Sequence, residues 1–184
     1  MSSPSPTSSP TGHTTEGGVL VGSEGARRKL VVFEDPQCPY CRQFEDATGD
    51  LLRREVSSGS VSVEYRMRSF LGPESVRADN ALALAAEAGH FDQLRRELFA
   101  AQPPEQTDGF GTDDLVEAGR RAGLTSPDFA AGVREGRYAD WVVERDEAFQ
   151  AQDPQGTPQA TLDGEWVDAQ VLYDPEALGA LVRG

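Results

Sequence analysis

The spacing of apolar residues changes along the chain, and each change marks an element. Lys29 to Glu34, KLVVFE, is a compact apolar run that predicts a buried strand, and Val19 to Val21 predicts a short strand before it. Asp35-Pro36 ends the run. Cys41, Phe44, Thr48, Leu51, Leu52 and Val56 then recur at helical spacing and define one inward face. Pro39 suits the first turn of that helix, where its missing N–H has no partner to lose. Ser60 to Met67, SVSVEYRM, alternates and predicts a strand, so the order strand, helix, strand fits a parallel pair with a right-handed crossover.

From Pro73 to Gln152 the pattern is helical throughout. Its faces are Ala78, Leu82 and Ala85; Phe91, Leu94 and Leu98; Leu115, Gly119 and Ala122; and Tyr138, Trp141, Val142, Ala148 and Phe149. Gly89, PPEQTDGFG and LTSPDF break it into separate helices, with Ser126 as a cap and Pro127 behind it. Strand spacing returns in TPQATLDGEWVDA, where Asp163-Gly164 predicts a two-residue turn between Gln159 to Leu162 and Glu165 to Val167. Asp174-Pro175 opens a closing helix with Ala177, Leu178, Leu181 and Val182 inward. These elements predict an α/β fold: one domain over residues 19–184, with an all-helical insertion at about 73–152. Met1 to Gly18 is rich in Ser, Thr, Pro and Gly and predicts a flexible tail.

That tail has no basic, then apolar, leader pattern, and no stretch approaches the roughly 18 apolar residues of a membrane span. The chain as given therefore predicts no membrane insertion and a cytoplasmic location. An extracytoplasmic location is the alternative if an anchor or signal has been removed. Seventeen Lys and Arg against 31 Asp and Glu leave a net charge of -14, a field that repels phosphate backbones and anionic lipids. Nucleic acid is excluded as a partner on that ground.

Cys38 and Cys41 are the only cysteines, three residues apart in CPYC. They could be a redox pair, part of a metal site, or two inert buried thiols. A bridge closing so short a loop stabilises little, and a zinc site would have to recruit both His13 and His90. No metal site is expected. Cys41 lies on the buried helical face, whereas Cys38, just before Pro39, falls at the helix N-cap, where the positive end of the dipole favours a thiolate. An open, acidic thiol with a buried mate one turn on is what disulfide exchange uses.

A strand running into CPYC at a helix start, a second strand, a long helical insert, then Gly156-Thr157-Pro158 before a hairpin and a last helix resembles the thioredoxin superfamily, in its DsbA-like branch. The resemblance spans about residues 19–184 and implies a thioredoxin-like fold, a central mixed sheet flanked by helices. It implies a thiol:disulfide oxidoreductase in which Cys38 attacks and Cys41 resolves, with the pair as its own redox group and no cofactor. Pro158 would be the cis-proline facing the pair, and the Thr157 backbone would align a substrate segment by strand addition. Pro39 would tune the potential, and Tyr40 would tune it or touch substrate. The implied partners are cysteine-containing proteins and a second redox protein that recycles the pair, with the enzyme a monomer.

One position departs from the family pattern. Val32 stands where many thioredoxin-like enzymes carry a buried carboxylate, and Glu34 and Asp35, which lie closer to Cys38, are the candidates to replace it. With Glu45 and Asp46 they would oppose thiolate formation, so Cys38 should be acidic but not extremely so. Two other functions compete. CPYC also occurs in glutathione-dependent glutaredoxins, although those are shorter, and a redox-silent peptide-binding module could share the fold.

Overall fold

The computed structural model describes Pro10, residues 12–104, residue 107, residues 109–152 and residues 154–184. Most of the expected flexible tail, residues 1–9 and 11, lies outside the described residues. Among the described residues there are five strands: β1 Val19–Val21, β2 Arg28–Glu34, β3 Val61–Met67, β4 Gln159–Leu162 and β5 Glu165–Trp166. They form one sheet in the order β1-β3-β2-β4-β5, parallel only between β2 and β3. Leu30 sits beside Val63 on one side and Leu162 on the other, so the apolar run of β2 is the centre of the sheet, as such runs usually are.

Helix α1 (Pro39–Ser57) is the crossover between β2 and β3, and it buries Cys41, Phe44, Thr48, Leu51 and Leu52 as the spacing predicts. The Thr48 hydroxyl lies 3.0 Å from both the Phe44 and Leu172 carbonyl oxygens, which satisfies its polarity inside the core. Helices α2 (Pro73–Glu87), α3 (Phe91–Ala100), α4 (Thr112–Arg121), α5 (Pro127–Glu135) and α6 (Ala139–Gln150) lie between β3 and β4. Every residue from Ala78 to Ala86 of α2 is buried; small side chains let α3, α5 and α6 close around it. Asp163 and Gly164 turn the β4–β5 hairpin with φ of 50° and 92°, the positive values a two-residue turn needs. Asp174 caps α7 (Pro175–Arg183) by accepting from the Glu176 and Ala177 N–H groups.

Two patterns resolve differently from expectation. Alternation in β3 would ordinarily mark one wet face, yet all seven residues are buried. Glu64 and Arg66 are covered because they pair with each other, and because residues 12–18 fold over them. The Thr14 hydroxyl donates to Glu64 at 3.2 Å, Glu16 pairs with Arg66, and His13 meets Trp141 edge-on. In α6, Ala148 faces solvent and Arg145 takes the inward place, one turn from both Trp141 and Phe149, whose rings its guanidinium covers.

Candidate active site

Cys38 is the N-cap of α1 with extended backbone angles, and Pro39 begins the helix. The Cys38 carbonyl accepts from the Cys41 and Arg42 N–H groups, which brings Cys41 one turn behind it. Both cysteines are free thiols, and with Phe99 of α3 they form a small apolar cluster of their own. Cys38 is less open than an N-cap position predicts, only 5% exposed, because Phe99 and the β4 approach cover it. The Thr157–Pro158 peptide is cis, Pro158 is buried, and the Cys38 Sγ lies 3.3 Å from the Thr157 carbonyl oxygen.

The two thiols differ in acidity. A hydrogen bond from the Cys41 thiol, helped by the Thr157 side chain and by the Cys41 and Tyr40 N–H groups, lowers Cys38 to about 6 against the opposing effect of burial. Burial pushes Cys41 well up, and its hydrogen bond to Cys38 and the Glu34 charge push the same way. Carboxylate repulsion, expected to act on Cys38, acts on Cys41 instead, behind burial and the hydrogen bond to Cys38. Asp46 is exposed and paired with Arg42 at 3.7 Å, outside this set.

Neither of the two strand-end carboxylates is solvated. Glu34 is fully buried and receives two hydrogen bonds from Arg95 of α3, at 2.8 and 2.6 Å, while a third nitrogen of Arg95 reaches Glu45 at 2.7 Å. Asp35 is also fully buried and accepts from Ser75 at 2.6 Å and from the Gln37 and Leu71 N–H groups; burial raises it to about 6. Tyr40 is 59% exposed beside the pair, and the Tyr173 hydroxyl donates to its carbonyl. Gln102, just beyond α3, donates to the Pro36 and Cys38 carbonyls at 2.8 and 3.0 Å. Arg95, Phe99 and Gln102 went unread in the sequence because the spacing of Phe91, Leu94 and Leu98 already accounted for α3. Among the described residues no cluster of three or more His, Cys, Asp or Glu side chains could hold a metal, and His90 instead meets the Ala122 carbonyl.

A family profile described as thioredoxin matches residues 14–182. The chain belongs to the thioredoxin family. Among solved members of similar shape is the thiol-disulfide oxidoreductase MdbA of Actinomyces oris, 25% identical with a TM-score of 0.80, covering 95% of this chain and 88% of that one. The disulfide bond oxidoreductase DsbG of Mycobacterium tuberculosis, in its reduced form, is 25% identical with a TM-score of 0.79, over 90% of this chain and 86% of its own. A curated relative, the Na(+)/H(+) antiporter NhaA 3 of Salinispora tropica, is 28% identical over 165 residues, 88% of this chain and 24% of that protein. The chain thus spans about a quarter of the length of the curated relative it matches. Within the thioredoxin family its neighbours are thiol-disulfide oxidoreductases of the DsbA-like kind, and in this chain helices α2 to α6 are inserted between β3 and β4. No helix among the described residues is long and apolar enough to cross a membrane.

Proposed function

We propose that Cys38 and Cys41 are the catalytic pair of this DsbA-like thiol:disulfide oxidoreductase, with Cys38 as nucleophile and Cys41 as resolving thiol. The observation that carries the assignment is the placement of the two sulfurs, Cys38 at the N-cap of α1 beside the cis Thr157–Pro158 segment and Cys41 buried one turn behind it, an arrangement that lowers Cys38 and raises Cys41. In the reducing direction the Cys38 thiolate attacks a substrate disulfide, forming a mixed disulfide and releasing one substrate thiolate. The negative charge on Cys38 is then gone, and with it one cause of the raised Cys41 pKa. Cys41 loses its proton, attacks the Cys38 sulfur and releases the second thiolate, leaving the Cys38–Cys41 disulfide and a substrate reduced by two electrons. The oxidising direction is the same path reversed.

The cis Thr157–Pro158 segment beside Cys38 supports a role in aligning an extended substrate, and exposed Tyr40 supports contact with it. Pro39 is read as tuning the pair through the helix start. Glu34 and Asp35 are read as tuning it from beneath, Glu34 through its charge on Cys41. Protein substrates are favoured over glutathione by the size of the helical insert, and residues 19–184 are read as one monomeric domain with its insertion at 73–152. A separate thiol-disulfide protein would recycle the pair. For location we favour the oxidising, extracytoplasmic side over the cytoplasmic expectation, since disulfide-forming chemistry persists there.

Insulin reduction with dithiothreitol, run beside a glutathione mixed-disulfide assay, tests the function. The parent chain should be active in the first and weak in the second, and Cys38→Ser should be inactive in both. Full insulin activity in Cys38→Ser would sink the assignment. The alkylation rate of the reduced chain should rise with pH through about 6 and then level off, since only the thiolate reacts.

A further inference from the structure

Helix α3 buries two stripes of side chains. Phe91, Leu94 and Leu98 face the main core. The second stripe, Arg95, Phe99 and Gln102, recurs at steps of four and three and so runs along one line of the helix surface. Gln102 keeps to that line although it lies past the last helical residue, because its N–H still bonds the Phe99 carbonyl.

All three side chains end at the redox centre. Arg95 is bound to both oxygens of Glu34 at the end of β2, Phe99 touches the two cysteines, and the Gln102 amide bridges the Pro36 and Cys38 carbonyls. Arg95 also stacks on Phe99 at 5.1 Å, which ties the first contact to the second. Packing alone does not select such a stripe: a fully buried guanidinium and an inward amide are both costly to desolvate unless their partners are in place.

We propose that this stripe is the positioning element of the redox pair, with Gln102 holding the turn that presents Cys38 and Phe99 closing the sulfurs from water. The proposal rests on the reading of Cys38 and Cys41 as the exchanging pair, and it extends that reading to the insert. The insert then does more than offer a surface to substrates, because it completes the centre. The two contacts act in opposite directions. Gln102 directs the positive end of its amide at the Pro36 and Cys38 carbonyls, adding to the Cys41 and Arg42 N–H groups that already bond the Cys38 carbonyl, so it favours a nearby anion on Cys38. Phe99 withholds water from the same sulfur, so it opposes the anion. The other ionisable groups around the pair are Cys41, Tyr40, Glu34, Asp35, Arg95, Glu45 and Tyr173, and none of them is replaced in the variants below.

The test uses the reduced full chain and two readouts, ultraviolet thiolate absorbance against pH and the disulfide equilibrium with glutathione, with unfolding midpoints measured alongside. Gln102→Met should raise the Cys38 pKa by about half a unit, the roughly threefold change that one neutral hydrogen bond is worth. The same threefold change should make the pair more reducing, by about 15 mV. Phe99→Leu should move both readouts the other way, and Gln102→Lys, which keeps N–H donors at similar reach, should leave the Cys38 pKa at or below the parent value. If Gln102→Met does not fold, Gln102→Leu likewise lacks the donor, adds no charge and carries the same expectation. Parental values in the donor-less variant overturn the proposal. Shifts of the same sign in the Gln102 and Phe99 variants also overturn it, since that would mark general loosening, and so does a rise with lysine as large as with methionine. Neither readout needs turnover, so a chain inactive on proteins would refute the functional reading without touching this result.

Discussion

Two buried arginines fasten the helical insert to the rest of the molecule, and they are satisfied unequally. Arg95 gives two nitrogens to Glu34 and a third to Glu45, between the rings of Tyr65 and Phe99. Arg145 pairs with Asp79 and reaches the Met67 and Gly17 carbonyls, but its Nε and the Asp79 Oδ1 have no hydrogen-bond partner among the described residues. Burial works against the charge of both arginines. At Arg95 the charge of Glu34, with Tyr65, the Glu34 hydrogen bonds and the Glu45 charge behind it, outweighs burial, so the proton is held more firmly than usual; at Arg145 the charges of Asp79 and Asp146 do not, and its pKa falls. Asp79, pushed up to about 7 by burial with Arg145 opposing, can take a proton near neutrality. The lesson is that equal burial does not make equal ion pairs. Burial raises Glu34 as it raises Asp79, but Arg95 and Glu34 have their nitrogens and oxygens all hydrogen-bonded, a matched set, whereas the pair across the insert leaves Arg145 Nε and Asp79 Oδ1 without partners among the described residues.

The largest effect should come from breaking the matched set. Arg95→Met strands the fully buried Glu34, while Glu45 keeps Arg53 at 2.6 Å, and should cost about 3–5 kcal/mol of unfolding free energy, read by chemical denaturation. Arg95→Met combined with Glu34→Gln should regain much of it by removing the stranded charge. A single-variant loss no larger than that of Arg145→Met would break the comparison.

Arg145→Met should cost less, about 1–3 kcal/mol at neutral pH, chiefly for carbonyls left without donors. Its cost should also shrink in acid, because a protonated Asp79 needs no cation. The sign follows from the folded pKa of about 7, which lies above the unfolded carboxylate value. Stability from the protonated group is complete below the unfolded pKa and is lost as pH rises through about 7. Asp79→Asn should flatten that slope. If the parent chain and Asp79→Asn show the same pH profile of stability, the proposed contrast in protonation fails.

Much of the scaffold was legible because its signals are local. KLVVFE, the helical spacing from Cys41 to Leu52 and the Asp163-Gly164 turn each depend on neighbours in sequence, and each lies where its pattern predicts. The CPYC pair at a helix start was legible for the same reason. The cis state of Pro158 was not, and only the family resemblance pointed to it. Charged side chains misled the reading most. Glu34, Asp35, Glu64, Arg66, Arg95 and Arg145 are all buried, although a hydropathy pattern assigns such residues to solvent. Each has a partner remote in sequence, as Ser75 is from Asp35 and Arg95 is from Glu34; even Glu64 and Arg66, which pair with each other, are covered by Thr14 and Glu16 from far up the chain. The same remoteness hid Gln102.

The smallest effect should come from an exposed copy of the Arg95 geometry. Arg120 gives two hydrogen bonds to Glu117, at 2.9 and 2.7 Å, which nearly match the 2.8 and 2.6 Å of Arg95 with Glu34. Arg120 and Glu117 lie one turn apart on α4, in water that solvates either partner when the other is removed. Arg120→Met should therefore leave the denaturation midpoint unchanged within error, as exposed pairs usually do. Added salt should not alter that result, because a surface pair is already screened. A loss approaching that of Arg145→Met would mean that contact geometry rather than burial sets what these arginines contribute, and the contrast between the two buried clusters would then need another cause.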